Sequence, residues 1–297
     1  MRPVANLLTL DNQRLETVWW GPGPAEAPTL VLLHEGLGCV ALWRDVPALL
    51  GEATGCGVFA YSRFGYGQSD PKPLPWPLTY MQDEARDVLP RVLDAAGIRE
   101  AILIGHSDGG SIAAVYAGTA RDQRLRGIVL IAAHFFVEDL NIRSIREIRT
   151  EYKQGELRER LARYHRNVDV AFYGWNDSWL DSEFRNFDIT AELAGIDVPI
   201  LALQGADDPY GTPAQLAVLQ RHAHTPVEIA LIPGARHAPH LEAKPATLDA
   251  IARFAQTALP HTAPCHCEER SNEAISRLTS RPQLVRRGIA SLLRSSQ

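Results

Sequence analysis

Short apolar runs and helical stretches alternate along most of the chain. Residues 29–33 (TLVLL), 58–62 (VFAYS), 101–105 (AILIG), 127–132 (GIVLIA), 199–204 (PILALQ) and 227–232 (VEIALI) are near-continuously apolar. That is the pattern of parallel strands covered on both faces. Between them, residues 41–53, 79–96, 109–120, 212–222 and 245–259 carry apolar positions at helical spacing. Thr79-Tyr-Met-Gln82 fits a capping box, Gly97 fits a helix stop, and Thr212-Pro213 sets a cap before a first-turn proline. The alternation predicts an α/β fold: a doubly wound, mostly parallel sheet of about eight strands with right-handed crossovers.

Two segments break the pattern. Residues 134–193 hold no buried-strand run and are rich in Arg, Glu and aromatics, which predicts a helical cap or lid inserted into the core. From Pro260 onward, six arginines (270, 277, 281, 286, 287, 294) outweigh three glutamates (268, 269, 273). This tail is similar to translated repeats at the ends of some bacterial reading frames, and disorder is expected there. The expected division is a core of 1–133 and 194–259, a cap of 134–193 and a tail of 260–297.

The charge of the chain, −5 over 297 residues, gives no electrostatic attraction for nucleic acid or an anionic membrane. No apolar run approaches the roughly 20 residues that span a bilayer. The N-terminal residues do not read as a secretory signal, so a cytoplasmic protein is expected. Four scattered cysteines (39, 56, 265, 267) argue against a disulfide framework. Cys265-His266-Cys267 lacks a second ligand pair at zinc-site spacing, so no metal site is expected.

The chemistry concentrates after three of the apolar runs. Gly105-His106-Ser107-Asp108-Gly109 is a G-x-S-x-G pattern with a strand before it and a helix after it, the context a nucleophile elbow needs. A serine needs a base, and the base needs an orienting acid. Asp207-Asp208 follows 199–204, and His237 follows 227–232, in the order Ser, acid, His. Both lie at the C-terminal edge of the predicted sheet, where open α/β folds bind ligands. These residues resemble the α/β-hydrolase superfamily over roughly residues 5–259.

The resemblance selects Ser107, Asp208 and His237 as catalytic, with Asp207 and His240 as alternatives. His34-Glu35-Gly36-Leu37-Gly38 resembles the family's oxyanion loop, although Glu35 stands where glycine is usual. The amides of Gly36 and Asp108 are the implied oxyanion donors, with Leu37 as a further candidate. Glu35 pairs with Arg63, meets a substrate ammonium, or closes a loop hydrogen bond. The loop at 61–69 is read as structural. The Ser-Asp-Gly elbow is similar to that of valacyclovir hydrolase-like enzymes, so Asp108 either receives a substrate amino group or caps its helix.

Substrate contacts are expected from Glu35, Leu37, Asp108, His134, Trp175 and Trp179. Phe172 and Phe184 either join them or form the cap's own core. The implied function is hydrolysis of a small carboxylic ester, thioester, lactone or amide through an acyl-enzyme. A C–C bond hydrolase acting on dienol-diketones and a non-catalytic small-ligand receptor are the alternatives. The resemblance implies no metal or organic cofactor. The only implied partner is a small-molecule ester-type substrate, with neither nucleic acid nor membrane.

Overall fold

A computed structural model describes residues 2–259; the predicted tail and Cys265-His266-Cys267 lie outside them. Eight strands form one sheet: β1 (Pro3–Leu10), β2 (Gln13–Trp20), β3 (Thr29–Leu33), β4 (Gly57–Tyr61), β5 (Ala101–His106), β6 (Leu125–Ile131), β7 (Ile200–Gly205) and β8 (Val227–Ile232). Their spatial order is β1-β2-β4-β3-β5-β6-β7-β8. β1 and β2 pair antiparallel, as do β2 and β4, and the strands from β4 through β8 pair parallel.

The central strands show no polar alternation because both of their faces are covered. Val31 and Leu33 face one apolar cluster, whereas Leu30 and Leu32 face the other. The first hairpin escapes the apolar-run criterion for the opposite reason. β1 is an exposed edge, with Val4 at 65% exposure. Its turn is nevertheless written in the sequence, since Asp11 and Asn12 both adopt positive φ (46° and 67°), as a two-residue hairpin turn requires. β8 is also an edge strand and is only half-buried, where a fully covered strand is expected from its composition.

The helices are α1 (Val46–Thr54), α2 (Tyr80–Asp83), α3 (Leu89–Ala95), α4 (Asp108–Thr119), α5 (Asp139–Gln154), α6 (Leu157–Ala162), α7 (Val168–Leu180), α8 (Thr190–Leu193), α9 (Ala214–His222), α10 (Pro239–Glu242) and α11 (Lys244–Ala258). A π-helical stretch, Glu84–Val88, links α2 to α3. Gly97, at φ +68°, ends that run. No capping box forms at its start, because the Thr79 hydroxyl donates to the Asp83 carboxylate instead. At α9 the N-cap position falls on Pro213, and the hydroxyl of Thr212 just before it accepts from the N–H of Ala214 at 3.1 Å.

Helices α5 to α8 occupy the chain between β6 and β7. α5 buries Ile142, Ile145 and Ile148 on one stripe. Among the described residues, no helix is long and apolar enough to cross a membrane.

Candidate active site

Ser107 stands between the end of β5 and the first residue of α4, at φ 53° and ψ −118°. A non-glycine residue pays for this conformation with strain, which a rigid surround must hold. The surround is tight. The Ser107 N–H donates to the Ile131 carbonyl at 2.8 Å, and its own carbonyl accepts from Gly110 at 2.8 Å and Ser111 at 3.1 Å. A Cβ on Gly105 would overlap the backbone of Gly109, and one on Gly109 would overlap the carbonyl of Leu33. Only glycine fits at either position.

Two further loops at the same sheet edge reach this serine. Asp208 follows β7, and its carboxylate accepts from the N–H of Tyr210 at 2.8 Å. His237 follows β8; its Nδ1 lies 2.9 and 3.0 Å from the two Asp208 oxygens, and its Nε2 lies 3.0 Å from Ser107 Oγ. A carboxylate can only accept, so Nδ1 carries the hydrogen and Nε2 offers its lone pair to the serine. Burial disfavours the His237 imidazolium, but the Asp208 charge and hydrogen bond outweigh it and raise the pKa above the usual value. For Asp208, burial raises the pKa and the charge of His237 and its hydrogen bond more than offset it, leaving it lowered.

The alternatives fall elsewhere. Asp207 is exposed, with its N–H donated to the Ala235 carbonyl. His240 is buried against Trp43 and His106 (ring centroids at 5.0 and 4.6 Å), and burial drives its pKa well below the ordinary value.

Glu35 meets a side-chain partner that was not among the three expected. Its carboxylate lies 3.3 Å from Nδ1 of His106, whose Nε2 is 2.8 Å from the carbonyl oxygen of His237. Arg63 instead donates to the backbone carbonyls of His34 and Glu35. Asp108 does not cap α4; the helix has no side-chain cap. Its carboxylate accepts from the Tyr80 hydroxyl at 2.6 Å and lies 3.9 Å from the Arg63 guanidinium. Burial raises the Asp108 pKa, and Arg63, Tyr80 and Trp179 offset part of that rise. Sequence reasoning assigned no role to His106 or Tyr80. Arg63 entered only as a partner for Glu35, in a loop read as structural, yet it is buried beside the elbow.

An open cavity adjoins Ser107 and His237. The predicted contacts Glu35, Leu37, Asp108, His134, Trp175 and Trp179 all reach its wall, as does the implied oxyanion donor Gly36. So do Asn141, Ile145 and Ile148 of α5 and Tyr210 of the loop after β7, none of them singled out by the sequence. Phe172 and Phe184 do not reach it. Phe172 stacks on Tyr152 at 3.5 Å and Phe184 on Phe187 at 5.1 Å, within the apolar cluster that also holds Val31 and Leu33. His134 is buried, and desolvation together with the nearby His237 pushes its pKa down to about 4. Asp108 opens α4, so its N–H has no carbonyl within the helix to bond. Among the described residues, no group of histidine, cysteine and acidic side chains is arranged to hold a metal ion.

Comparison with known proteins agrees with this architecture. The family described as having the alpha/beta hydrolase fold matches residues 28–173. A non-heme chloroperoxidase from Streptomyces lividans is 28% identical over 228 residues, covering 66% of this chain and 80% of that one. A bifunctional esterase/perhydrolase from Acinetobacter calcoaceticus is 26% identical over 218 residues, covering 63% and 76%. Among solved structures, naproxen esterase from Bacillus subtilis superposes with a TM-score of 0.66 at 19% identity, covering 85% of this chain and 92% of that one. Proline iminopeptidase from Mycobacterium smegmatis gives 0.66 at 18% identity, covering 86% and 98%. The sheet order, the family match and these relatives together give the chain the α/β-hydrolase fold and support a hydrolase activity.

Proposed function

We propose that the protein is a serine hydrolase that cleaves a small carboxylic ester, or a related thioester, lactone or amide, through an acyl-enzyme. The observation that carries this reading is His237 held between Asp208 and Ser107, with Nε2 3.0 Å from Oγ. A curated relative named as an esterase supports the same chemistry.

In this mechanism His237 Nε2 takes the Ser107 proton as Oγ attacks the carbonyl carbon. The tetrahedral oxyanion rests on the amides of Gly36 and Asp108, worth about 3 kcal/mol for each donor. The imidazolium, stabilised by Asp208, then protonates the leaving oxygen as the ester C–O bond breaks. Water enters, gives its proton to His237 and attacks the acyl carbon. The Ser107 oxygen leaves with that proton, and the carboxylic acid is released.

The test is turnover of p-nitrophenyl acetate and butyrate together with fluorophosphonate labelling. Wild type is expected to do both, and Ser107→Ala neither. Turnover of dienol-diketones without turnover of any ester would favour the C–C hydrolase instead. Labelling without any turnover would favour a receptor.

A further inference from the structure

Two indoles of α7 border the cavity, and their N–H groups are used differently. Trp179 Nε1 donates to the Tyr80 hydroxyl at 3.0 Å. Trp175 is 7% exposed, and no described residue accepts a hydrogen bond from its Nε1. Trp175 lies directly on Gly36: a Cβ there would overlap Nε1 and Cδ1 of the indole. Glycine at 36 is therefore what lets the N–H edge of this ring approach the loop carrying the oxyanion donor.

The neighbouring ring N–H groups are already committed. His237 Nδ1 faces Asp208, and His134 Nε2 lies 3.1 Å from the carbonyl of Tyr210. The wall nearby is apolar, with Leu37, Ile145 and Ile148. An indole N–H only donates, so a molecule that displaces water here must offer it an acceptor or leave it unpaired.

The insertion also keeps this donor in register with the loop below. His165 accepts the Gly67 N–H at Nδ1 and so carries its hydrogen on Nε2, which donates to the Leu37 carbonyl; both contacts are 3.0 Å. Trp175 and His165 thus bring two contacts from one insertion onto two consecutive residues, Gly36 and Leu37.

We propose that Trp175 Nε1–H is a substrate-binding donor that takes an oxygen of the acyl group next to the reacting carbonyl. The substrate class is then α-alkoxy- or α-keto-acyl esters in preference to plain alkyl esters. The inference rests on the acyl-enzyme reading, in which the backbone amides already hold the carbonyl oxygen and the indole serves the next acceptor along the acyl chain.

The test compares p-nitrophenyl methoxyacetate with p-nitrophenyl butyrate, which differ by one oxygen in place of a methylene. Rates are divided by each ester's hydroxide-catalysed rate. Wild type should prefer methoxyacetate by about tenfold, the order of one net neutral hydrogen bond. Trp175→benzothienylalanine, which keeps the ring shape and exchanges N–H for sulfur, should abolish that preference through loss on methoxyacetate alone. An equal loss on both esters, or no change on either, overturns the proposal.

A second readout does not need turnover. In Ser107→Ala protein, methyl methoxyacetate should shift the Trp175 indole proton downfield and methyl butyrate should not. No shift with either ester, or the same shift with both, overturns the inference. A selective shift in a protein whose wild type hydrolyses neither ester upholds the donor and overturns the acyl-enzyme reading instead.

Discussion

The Glu35 carboxylate lies 3.3 Å from Nδ1 of His106, and the far nitrogen of that imidazole meets the carbonyl oxygen of His237 at 2.8 Å. A carbonyl only accepts, so Nε2 of His106 carries a hydrogen, and its Nδ1 faces the Glu35 carboxylate. The proposed base is thereby tied, through its own backbone and the residue preceding Ser107, to the loop that contains Gly36. Glu35, the departure from the family pattern, has a structural reason to be acidic.

Removing that acid leaves a buried imidazole nitrogen without a partner. Glu35→Ala should lower stability by about 2 kcal/mol, the cost of an unsatisfied buried hydrogen-bonding group. Glu35→Gln, whose amide can still donate to Nδ1, should recover most of it. Urea unfolding of the three proteins measures this; an alanine variant as stable as wild type would show that the pair contributes nothing.

The raised pKa of His237 sets the acid limb of the rate profile. The base must be neutral, so kcat/KM for a non-ionising ester should fall as pH drops through a value above that of an ordinary imidazole. Asp208→Asn removes the raising charge, so the limb should move to lower pH while the rate falls by about 10⁴-fold. The same shift affects stability. The folded state holds the His237 proton more tightly than the unfolded chain, so this contribution is full below the ordinary imidazole pKa. It is lost as pH rises through the folded value. The gap in urea midpoint between wild type and His237→Gln should therefore narrow as pH increases across that window.

How much of this was legible depends on whether a residue's role follows from its place along the chain. Strands β3 to β7 announce themselves because both faces are covered, and the elbow announces itself because Gly105 and Gly109 have no room for a side chain. Ser107, Asp208 and His237 follow from strand ends in order. The roles of Tyr80 and Arg63 do not, because they arise from packing between elements 28 and 45 residues distant from Asp108 in sequence. Glu35 was read toward Arg63, a ligand or a loop hydrogen bond, since spacing says nothing of which buried partner an acid will face. The hairpin of β1 and β2 was missed because an exposed edge buries too little to leave an apolar run.

Asp108 gives a prediction about the substrate's amino side. Its carboxylate already accepts from Tyr80 and faces Arg63 within 3.9 Å, so a substrate ammonium would have to approach a guanidinium. Valine esters should therefore show no advantage over the matching isovalerate esters once both are corrected for hydroxide reactivity. A preference of tenfold or more for the amino ester, lost in Asp108→Asn, would overturn this and assign Asp108 to the ammonium.

The helix-on-strand contact under the elbow yields the strictest mutational test. A Cβ on Gly109 would overlap the Leu33 carbonyl and lie 2.8 Å from the His34 carbonyl oxygen. Both are backbone atoms that cannot rotate aside. α4 would have to lift from β3, carrying Ser107 and the Asp108 amide with it. A Cβ on the next residue, Gly110, meets chiefly the Ala133 methyl at 2.7 Å, which a small tilt of the helix relieves. Gly109→Ala should thus cost about 3 kcal/mol or more, the upper end for overpacking, and lose nearly all turnover. Gly110→Ala should cost about 1 kcal/mol and retain activity within roughly tenfold. Urea midpoints and ester kinetics on the two variants decide it, because equal losses at both positions would mean that the helix yields as a whole and that the Leu33 contact does not fix the serine.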